Sequence, residues 1–289
     1  MSAPVHILVT GANGQLGMEL KDLAGRHPEY RWTLVGRNEL SITDAAAVRH
    51  FFEQEKPDYC INTAAYTAVD LAETETTQAM AVNADAVEWL ANGCREYHCR
   101  FMHISTDYVF NGKGTRPYLE TDPTEPQNAY GRSKLAGEVK ALAVNPDSLI
   151  IRTSWVYSVH GKNFVKTMLR LMKEKEEINV VNDQQGSPTY AADLAQALFN
   201  IIDQQTFHPS IYHFSNQEVT TWYGFALAIR ELAGLHCRVL PVASTAFPTP
   251  AKRPAYSVMD TRKFQQTFQQ TIPDWKSALQ RCLQAMPTP

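Results

Sequence analysis

VHILVTGANGQLGMELKDLAG, residues 5–25, is strand, turn and helix in immediate succession. Val5 to Thr10 is short, apolar and β-branched, as expected of a strand buried on both faces of a parallel sheet. Gly11, Gly14 and Gly17 follow at G-x-x-G-x-x-G spacing, and the helical stretch Met18 to Gly25 comes next. Each glycine has a physical task. Gly11 permits the tight turn off the strand, Gly14 lets backbone approach a pyrophosphate, and Gly17 lets the helix pack close to the sheet. The helix N-terminus then offers free N–H groups and a partial positive charge to phosphates. A glycine triplet alone is weak evidence; between a buried strand and a helix it predicts a dinucleotide site.

Outward from that unit, strand-like runs recur at Trp32–Gly36, Tyr59–Ala64, Phe101–Ser105, Leu149–Arg152 and Tyr212–Ser215, with helical stretches such as Ala45–Glu55 and Thr76–Tyr97 between them. This alternation predicts an α/β protein with a doubly wound parallel sheet of the Rossmann type and a smaller C-terminal substrate-binding lobe. The expected division is 1–155 for the NAD(P)-binding domain, with later segments near 190–215 interleaved, and 156–289 mainly for the lobe. Ala64 and Ala65, just past a strand end, leave room for a flat adenine or ribose, or simply pack closely. Gly36-Arg37-Asn38 stands where an NAD site usually carries an acidic residue. A guanidinium suits a 2'-phosphate, which favours NADPH; Arg37 as a solvated loop residue, and acceptance of NADH, stay open.

Tyr130 and Lys134 lie one turn apart on a helix face. A free phenol has a pKa of roughly 10, and a nearby ammonium is expected to pull it toward the working pH. That makes Tyr130 a candidate general acid for a carbonyl undergoing reduction. The strand Phe101–Ser105 delivers Thr106 to its carboxyl end, where ligands sit in an open α/β sheet. Thr106 is placed to hydrogen-bond a substrate carbonyl, or to cap a turn. A loop marked by Gly112, Gly114, Pro117, Pro123 and Pro126 leads into the Tyr130 helix and is long enough to be functional.

The totals exclude other classes. The chain of 289 residues has a net charge of -3 and 20% charged residues, which gives no nucleic-acid footprint. No apolar run is long enough to span a bilayer, and no leader pattern precedes the first strand, so a cytoplasmic protein is expected. Five cysteines in no zinc or C-x-x-C spacing read as idle thiols, the nine histidines do not cluster, and His103 reads as a satisfied core residue. In the second half, Phe164–Lys175, Tyr190–Asp203 and Thr221–Ala233 read as helices, and Asp260–Phe264 and Trp275–Met286 close the chain. Trp155 is either a stacking platform for a sugar or base ring or a core residue. The proline-rich tail Pro241–Tyr256 presents Arg253, either to a diphosphate or to solvent.

NTAAYTAVDLAE (62–73), STDYVFNG (105–112), YGRSKLAGE (130–138), RTSWVY (152–157), NFVKTMLRL (163–171) and VNDQQGSPT (181–189) run in order along the chain. With the glycine turn, these motifs resemble the extended short-chain dehydrogenase/reductases and, among them, the dTDP-4-dehydrorhamnose reductase family, over about Val5 to Leu283. The resemblance implies NADPH- or NADH-dependent reduction of the C4 ketone of dTDP-4-dehydro-β-L-rhamnose, the last step toward dTDP-L-rhamnose. It implies that Gly14, Gln15 and Leu16 hold the pyrophosphate and that Ser41 and Ile42 lie near the adenine. Ala65, Tyr66, Thr67 and Ile104 would line the cofactor, and Thr106, Tyr130 and Lys134 form the catalytic set, the last two also touching cofactor. Thr67, Val69, Asp107, Tyr108, Trp155 and Arg253 would meet the dTDP-sugar. The family often has Asp where this chain has Ser41, and an aromatic residue where it has Ile104. Some members use magnesium at a dimer interface; no metal cluster stands out in this sequence, and monomer or homodimer is left open. Two other functions remain open at this point. One is an NADP-binding regulatory subunit like that of methionine adenosyltransferase, against which the intact Thr106, Tyr130 and Lys134 argue. The other is a reductase or epimerase of another nucleotide sugar.

Overall fold

The computed structural model describes residues 3–286. Its strands are β1 (His6–Thr10), β2 (Arg31–Val35), β3 (Tyr59–Asn62), β4 (Arg100–Thr106), β5 (Leu149–Thr153), β6 (Val156–Tyr157), β7 (Glu177–Val181), β8 (Gln185–Gly186), β9 (Thr189–Tyr190), β10 (Ser210–His213), β11 (Thr220–Thr221) and β12 (Arg238–Val242). Its helices are α1 (Gln15–Ala24), α2 (Ala45–Glu55), α3 (Thr76–Met80), α4 (Ala86–Glu96), α5 (Ala129–Val144), α6 (Phe164–Glu174), α7 (Ala191–Asp203), α8 (Trp222–Leu232), α9 (Arg262–Phe268) and α10 (Trp275–Ala285).

Six strands form one parallel sheet in the order β10-β5-β4-β3-β1-β2. Every residue of β1, β3 and β5 is buried, because helices cover both faces. On one face α1, α7 and α9 supply Leu16, Leu20, Leu198, Phe264 and Phe268 to the core; on the other, α2 and α4 supply Val48, Phe52, Val87 and Leu90. The strand order reverses between β1 and β3, the kind of switch point at which open α/β sheets bind ligands. The doubly wound sheet expected from the alternation is therefore present. A separate core joins β7 and β12 with α6, α8 and α10 through Ile178, Val239, Met168, Phe225, Trp275 and Leu279.

Local sequence sets most of the boundaries. Asp44 caps α2 by accepting from the backbone of Ala46 and Ala47, both at 3.0 Å. Thr221 caps α8 through the Gly224 N–H, and Asn128 caps α5 through that of Gly131 at 2.8 Å. The stretch expected as one helix over Thr76–Tyr97 contains a π-turn at Ala81–Asp85. Asn83 in that turn is fully buried and bonds both the N–H and the carbonyl of Tyr66, and Ser133 of α5. The π-turn thus fixes the loop after β3 to the helix that carries Tyr130.

Three expectations need correction. β12 runs through Pro241, which the proline-rich reading had placed in a tail. The strand pairs only with β7, and Pro241 sits opposite Val180 at its open edge, where a missing N–H is tolerated. β10 starts at Ser210 rather than Tyr212, and α9 starts at Arg262 rather than Asp260. Asp260 instead accepts from the Arg262 backbone at 2.9 Å and pairs with its guanidinium, just outside the helix. All five cysteines are free and buried. Among the described residues no helix is long and apolar enough to cross a membrane.

Candidate active site

The turn after β1 shapes the site. Gly11 has φ +71°, and a Cβ there would sit 2.5 Å from Ala64 N, so the turn lies directly against the end of β3. Gly17 serves the same turn, since a Cβ on it would lie 2.3 Å from Gly11 O. Gly17 thus lets α1 pack closely, the role expected of it, and is not among the residues that line the cleft. α1 begins after Gly14, which has no side chain to cap it, so the first N–H groups of the helix face outward.

These groups open onto a cleft of about 1000 Å³ along the carboxyl ends of the strands. Gly11, Gly14, Gln15 and Leu16 line it from the turn, and Arg37, Ser41 and Ile42 from the loop after β2. Ala65, Tyr66, Thr67 and Val69 line it after β3; Ile104, Thr106, Asp107 and Tyr108 at the end of β4; and Tyr130, Lys134 and Trp155 from beyond. Residues brought to one place from so many segments are what a strand-end crevice requires.

Two expected residues are placed differently. Arg253 borders a smaller neighbouring cavity of about 120 Å³, which it shares with Tyr108. Its guanidinium pairs with Asp70 at 2.7 Å, so it is neither free in solvent nor aimed into the main cleft. Trp155 stacks on Trp222 with ring centres 3.6 Å apart and planes within 9°. It is half-buried and lines the cleft, so it is not a fully buried core residue.

Tyr130 and Lys134 occupy successive turns of α5 with Thr106 opposite. The expected electrostatic coupling differs, however. Burial raises the Tyr130 pKa above its ordinary value; Thr106 offsets part of the rise, and Asp107 and Tyr108 add to it. Lys134 is not among the groups that shift it. Lys134 Nζ donates to the Ile104 carbonyl at 2.6 Å and lies 3.3 Å from His103 Nε2, and burial pulls its pKa down to about 8. The reason is tertiary: Lys134 is buried and Tyr130 partly so, and desolvation outweighs the pull of one charge on the other.

Asp107 shows the same desolvation. Its Oδ1 accepts from Thr106 Oγ1 at 3.0 Å, its Oδ2 is buried without a hydrogen bond, and burial pushes its pKa up to about 7. The folded state therefore binds a proton that the unfolded chain releases near pH 4, and stability falls as pH rises from about 4 to 7. Asp107→Asn is expected to be more stable than the parent at pH 8 by about 4 kcal/mol, the difference vanishing below pH 4, in urea titrations at the two pH values. An equal gain at both would mean that the carboxyl is not neutral in the fold.

Several residues around the site went unread in the sequence. Glu138 accepts from Arg152 through both carboxylate oxygens and from Ser105 Oγ, fully buried beneath α5. Its only sequence signal is a carboxylate on the apolar side of the helix. Glu19, Asp22 and His160 bring three potential ligand atoms within 4.8 Å, a grouping that the sequence reading did not anticipate. None of the three lines the cleft. Glu19 already accepts from Ser158 at 2.6 Å, and Asp22 pairs with His160 at 2.7 Å.

Comparison with known proteins decides the family. The family model described as RmlD substrate binding domain matches residues 5–288. The chain belongs to that family. Among relatives of this RmlD-family chain, the spore coat polysaccharide biosynthesis protein SpsK of Bacillus subtilis is 43% identical, covering 96% of each chain. The dTDP-4-dehydrorhamnose reductase of Burkholderia thailandensis is 41% identical over 96% of this chain and 98% of its own. The crystal structure of dTDP-4-dehydrorhamnose reductase from Bacillus anthracis in complex with NADP superposes with a TM-score of 0.93 at 38% identity, covering 97% of this chain and 99% of that one.

Proposed function

We propose that this chain is a dTDP-4-dehydrorhamnose reductase, reducing the C4 ketone of dTDP-4-dehydro-β-L-rhamnose at the expense of NADPH. The observation that carries this reading is that Thr106, Tyr130 and Lys134 meet in the cleft onto which the glycine turn opens. The turn itself fits a dinucleotide: the space beside Gly11 admits no side chain, and the α1 N-terminus is uncapped. When bound, the reduced nicotinamide supplies the hydride.

The chain's own residues do the rest. Backbone N–H groups at Gln15 and Leu16 hold the pyrophosphate, beside Gly14, whose own N–H bonds Gly11 O at 2.9 Å and whose missing side chain leaves the phosphates room, with Ser41 and Ile42 toward the adenine and Ala65, Tyr66, Thr67 and Ile104 along the cofactor. Asn83 and Glu75 fix Tyr66 through its backbone and its hydroxyl. Val69, Asp107, Tyr108 and Trp155 meet the sugar nucleotide, with Arg253 beyond Tyr108. Tyr130 keeps its proton at neutral pH because burial favours the neutral phenol, and it gives that proton to the developing alkoxide, a much stronger base than phenolate. Thr106 orients the same oxygen, and Lys134 holds the nicotinamide ribose.

The test is spectrophotometric. With the dTDP-keto sugar present, nicotinamide absorbance falls when NADPH is added. Arg37 is exposed at the rim of the cleft, where a 2'-phosphate is recognised. Arg37→Asp is expected to lower kcat/KM for NADPH about tenfold while sparing NADH. An unchanged NADPH/NADH ratio would make Arg37 a bystander, and no oxidation of either cofactor by the parent protein would overturn the reductase reading.

A further inference from the structure

Behind Lys134 a buried polar chain runs across the ends of β1, β3 and β4. Thr10 Oγ1 donates to Asn62 Oδ1 at 2.7 Å, and the Ala64 N–H donates to the same oxygen at 3.2 Å. A backbone N–H only donates, so the orientation of the Asn62 amide is fixed. Its Nδ2 therefore faces His103 Nδ1, at 3.0 Å. An amide NH₂ also only donates, so Nδ1 must accept, and the proton of the neutral ring sits on Nε2. The ring is neutral because burial, and Lys134 beside it, hold its pKa well below the usual range. Nε2 in turn lies 3.3 Å from Lys134 Nζ. An ammonium has three donors and no acceptor; an amine has a lone pair that can receive the Nε2–H. Thr10, Asn62, His103 and Lys134 are all buried, so water cannot relieve a donor facing a donor.

We propose that His103 is a positioning residue that sets the protonation state of Lys134: Asn62 locks it as the Nε2–H tautomer, and that donor favours the lysine amine over the ammonium. The consequence for turnover rests on the reductase reading; the tautomer does not. The other ionisable groups around Lys134 are accounted for. On α5, Tyr130 lies one turn before it and is neutral. Glu138 lies one turn after it and favours the ammonium, but is already bonded to Arg152 of β5 and Ser105 of β4. Just past the end of β4, Asp107 faces the cleft. A lysine titrating near pH 8 is within reach of experiment.

The test uses the ligand-free, full-length protein. In a spectrum of 15N-histidine-labelled protein, one ring, identified by its absence in His103→Leu, is expected to carry its proton on Nε2 throughout pH 5–9. The 13Cε resonance of Lys134, identified with Lys134→Arg, gives the lysine midpoint. Asn62→Asp keeps the acceptor for Thr10 and Ala64 but takes the ring proton to Nδ1, leaving the Nε2 lone pair facing Lys134. That variant and His103→Leu are each expected to raise the midpoint by about one pH unit, and to move the matching limb of the kcat/KM profile equally. A structural role alone would lower kcat/KM at all pH values without moving the limb. A proton on Nδ1 in the parent protein, or a lysine midpoint unmoved in the variants, overturns the proposal. Absence of turnover by the parent protein would strike the reductase reading instead, with both resonances still deciding this one.

Discussion

In Tyr130→Phe, kcat for ketone reduction is expected to fall by roughly 10²–10⁴-fold, the contribution usual for a positioned general acid. KM for the dTDP-sugar should change little, because a phenol that transfers its proton stabilises the transition state more than the ground state. The fold should be indifferent. The Tyr130 ring packs beside Ala72, Ala79 and Ala129 and meets the edge of Tyr108 with ring centres 5.5 Å apart, contacts that a phenylalanine keeps. A circular dichroism melt within a degree or two of the parent, together with the lost turnover, separates chemistry from stability. The raised phenol pKa sharpens the expectation. In the reducing direction the group must hold a proton until an alkoxide forms, and burial secures that at any pH below the ordinary phenol range. Parental kcat in this variant would remove Tyr130 from the mechanism, leaving Thr106 or a water as the donor.

What the sequence disclosed about this site, and what it withheld, follows from the range of the forces involved. The turn at Gly11 and the caps of α2 and α8 are set by residues within a few positions of each other; the turn could be read directly, and the sequence narrows the caps to Thr43 or Asp44 and to Thr220 or Thr221, of which Asp44 and Thr221 do the capping. The parallel sheet was legible because the buried strands carry short apolar runs, such as Ile7–Val9 in β1 and Leu149–Ile151 in β5. The electrostatics were not legible, since they depend on what packs against each group. Helical spacing alone suggested that Lys134 acidifies Tyr130, but spacing carries no information on burial, and burial has the larger effect on both. Lys134 meets His103 across 31 positions, and Arg253 meets Asp70 across 183. No local pattern could pair either couple. Trp155 and Trp222 were each visible as tryptophans, yet their stacking requires the link between β5 and β6 to meet the start of α8. Pro241 misled for the converse reason: proline argues against a strand unless the strand is at an edge, and edges are defined only by the assembled sheet.

Arg152→Met should destabilise the fold by about 3–5 kcal/mol, the usual cost of stripping one partner from a buried ion pair. Arg152 Nε and Nη2 both bond Glu138, the closest contact at 2.6 Å, and both side chains are nearly inaccessible to water. With the guanidinium gone, Glu138 would keep only the hydroxyl of Ser105 and would take up a proton rather than stay charged. The loss should therefore be largest at pH 8 and shrink toward pH 5, as urea unfolding at the two pH values would show. Arg152→Met combined with Glu138→Leu should recover most of the stability, because an apolar pair of similar volume leaves no stranded charge. The same pair bears on chemistry. Glu138 is the charged group that favours the Lys134 ammonium, and Arg152 is its buried ion-pair partner. The stabilised double variant should thus fold well with the lysine midpoint, and the matching limb of the kcat/KM profile, shifted down. If its kcat/KM stayed at the parental value, the pair beneath α5 would be a matter of stability alone.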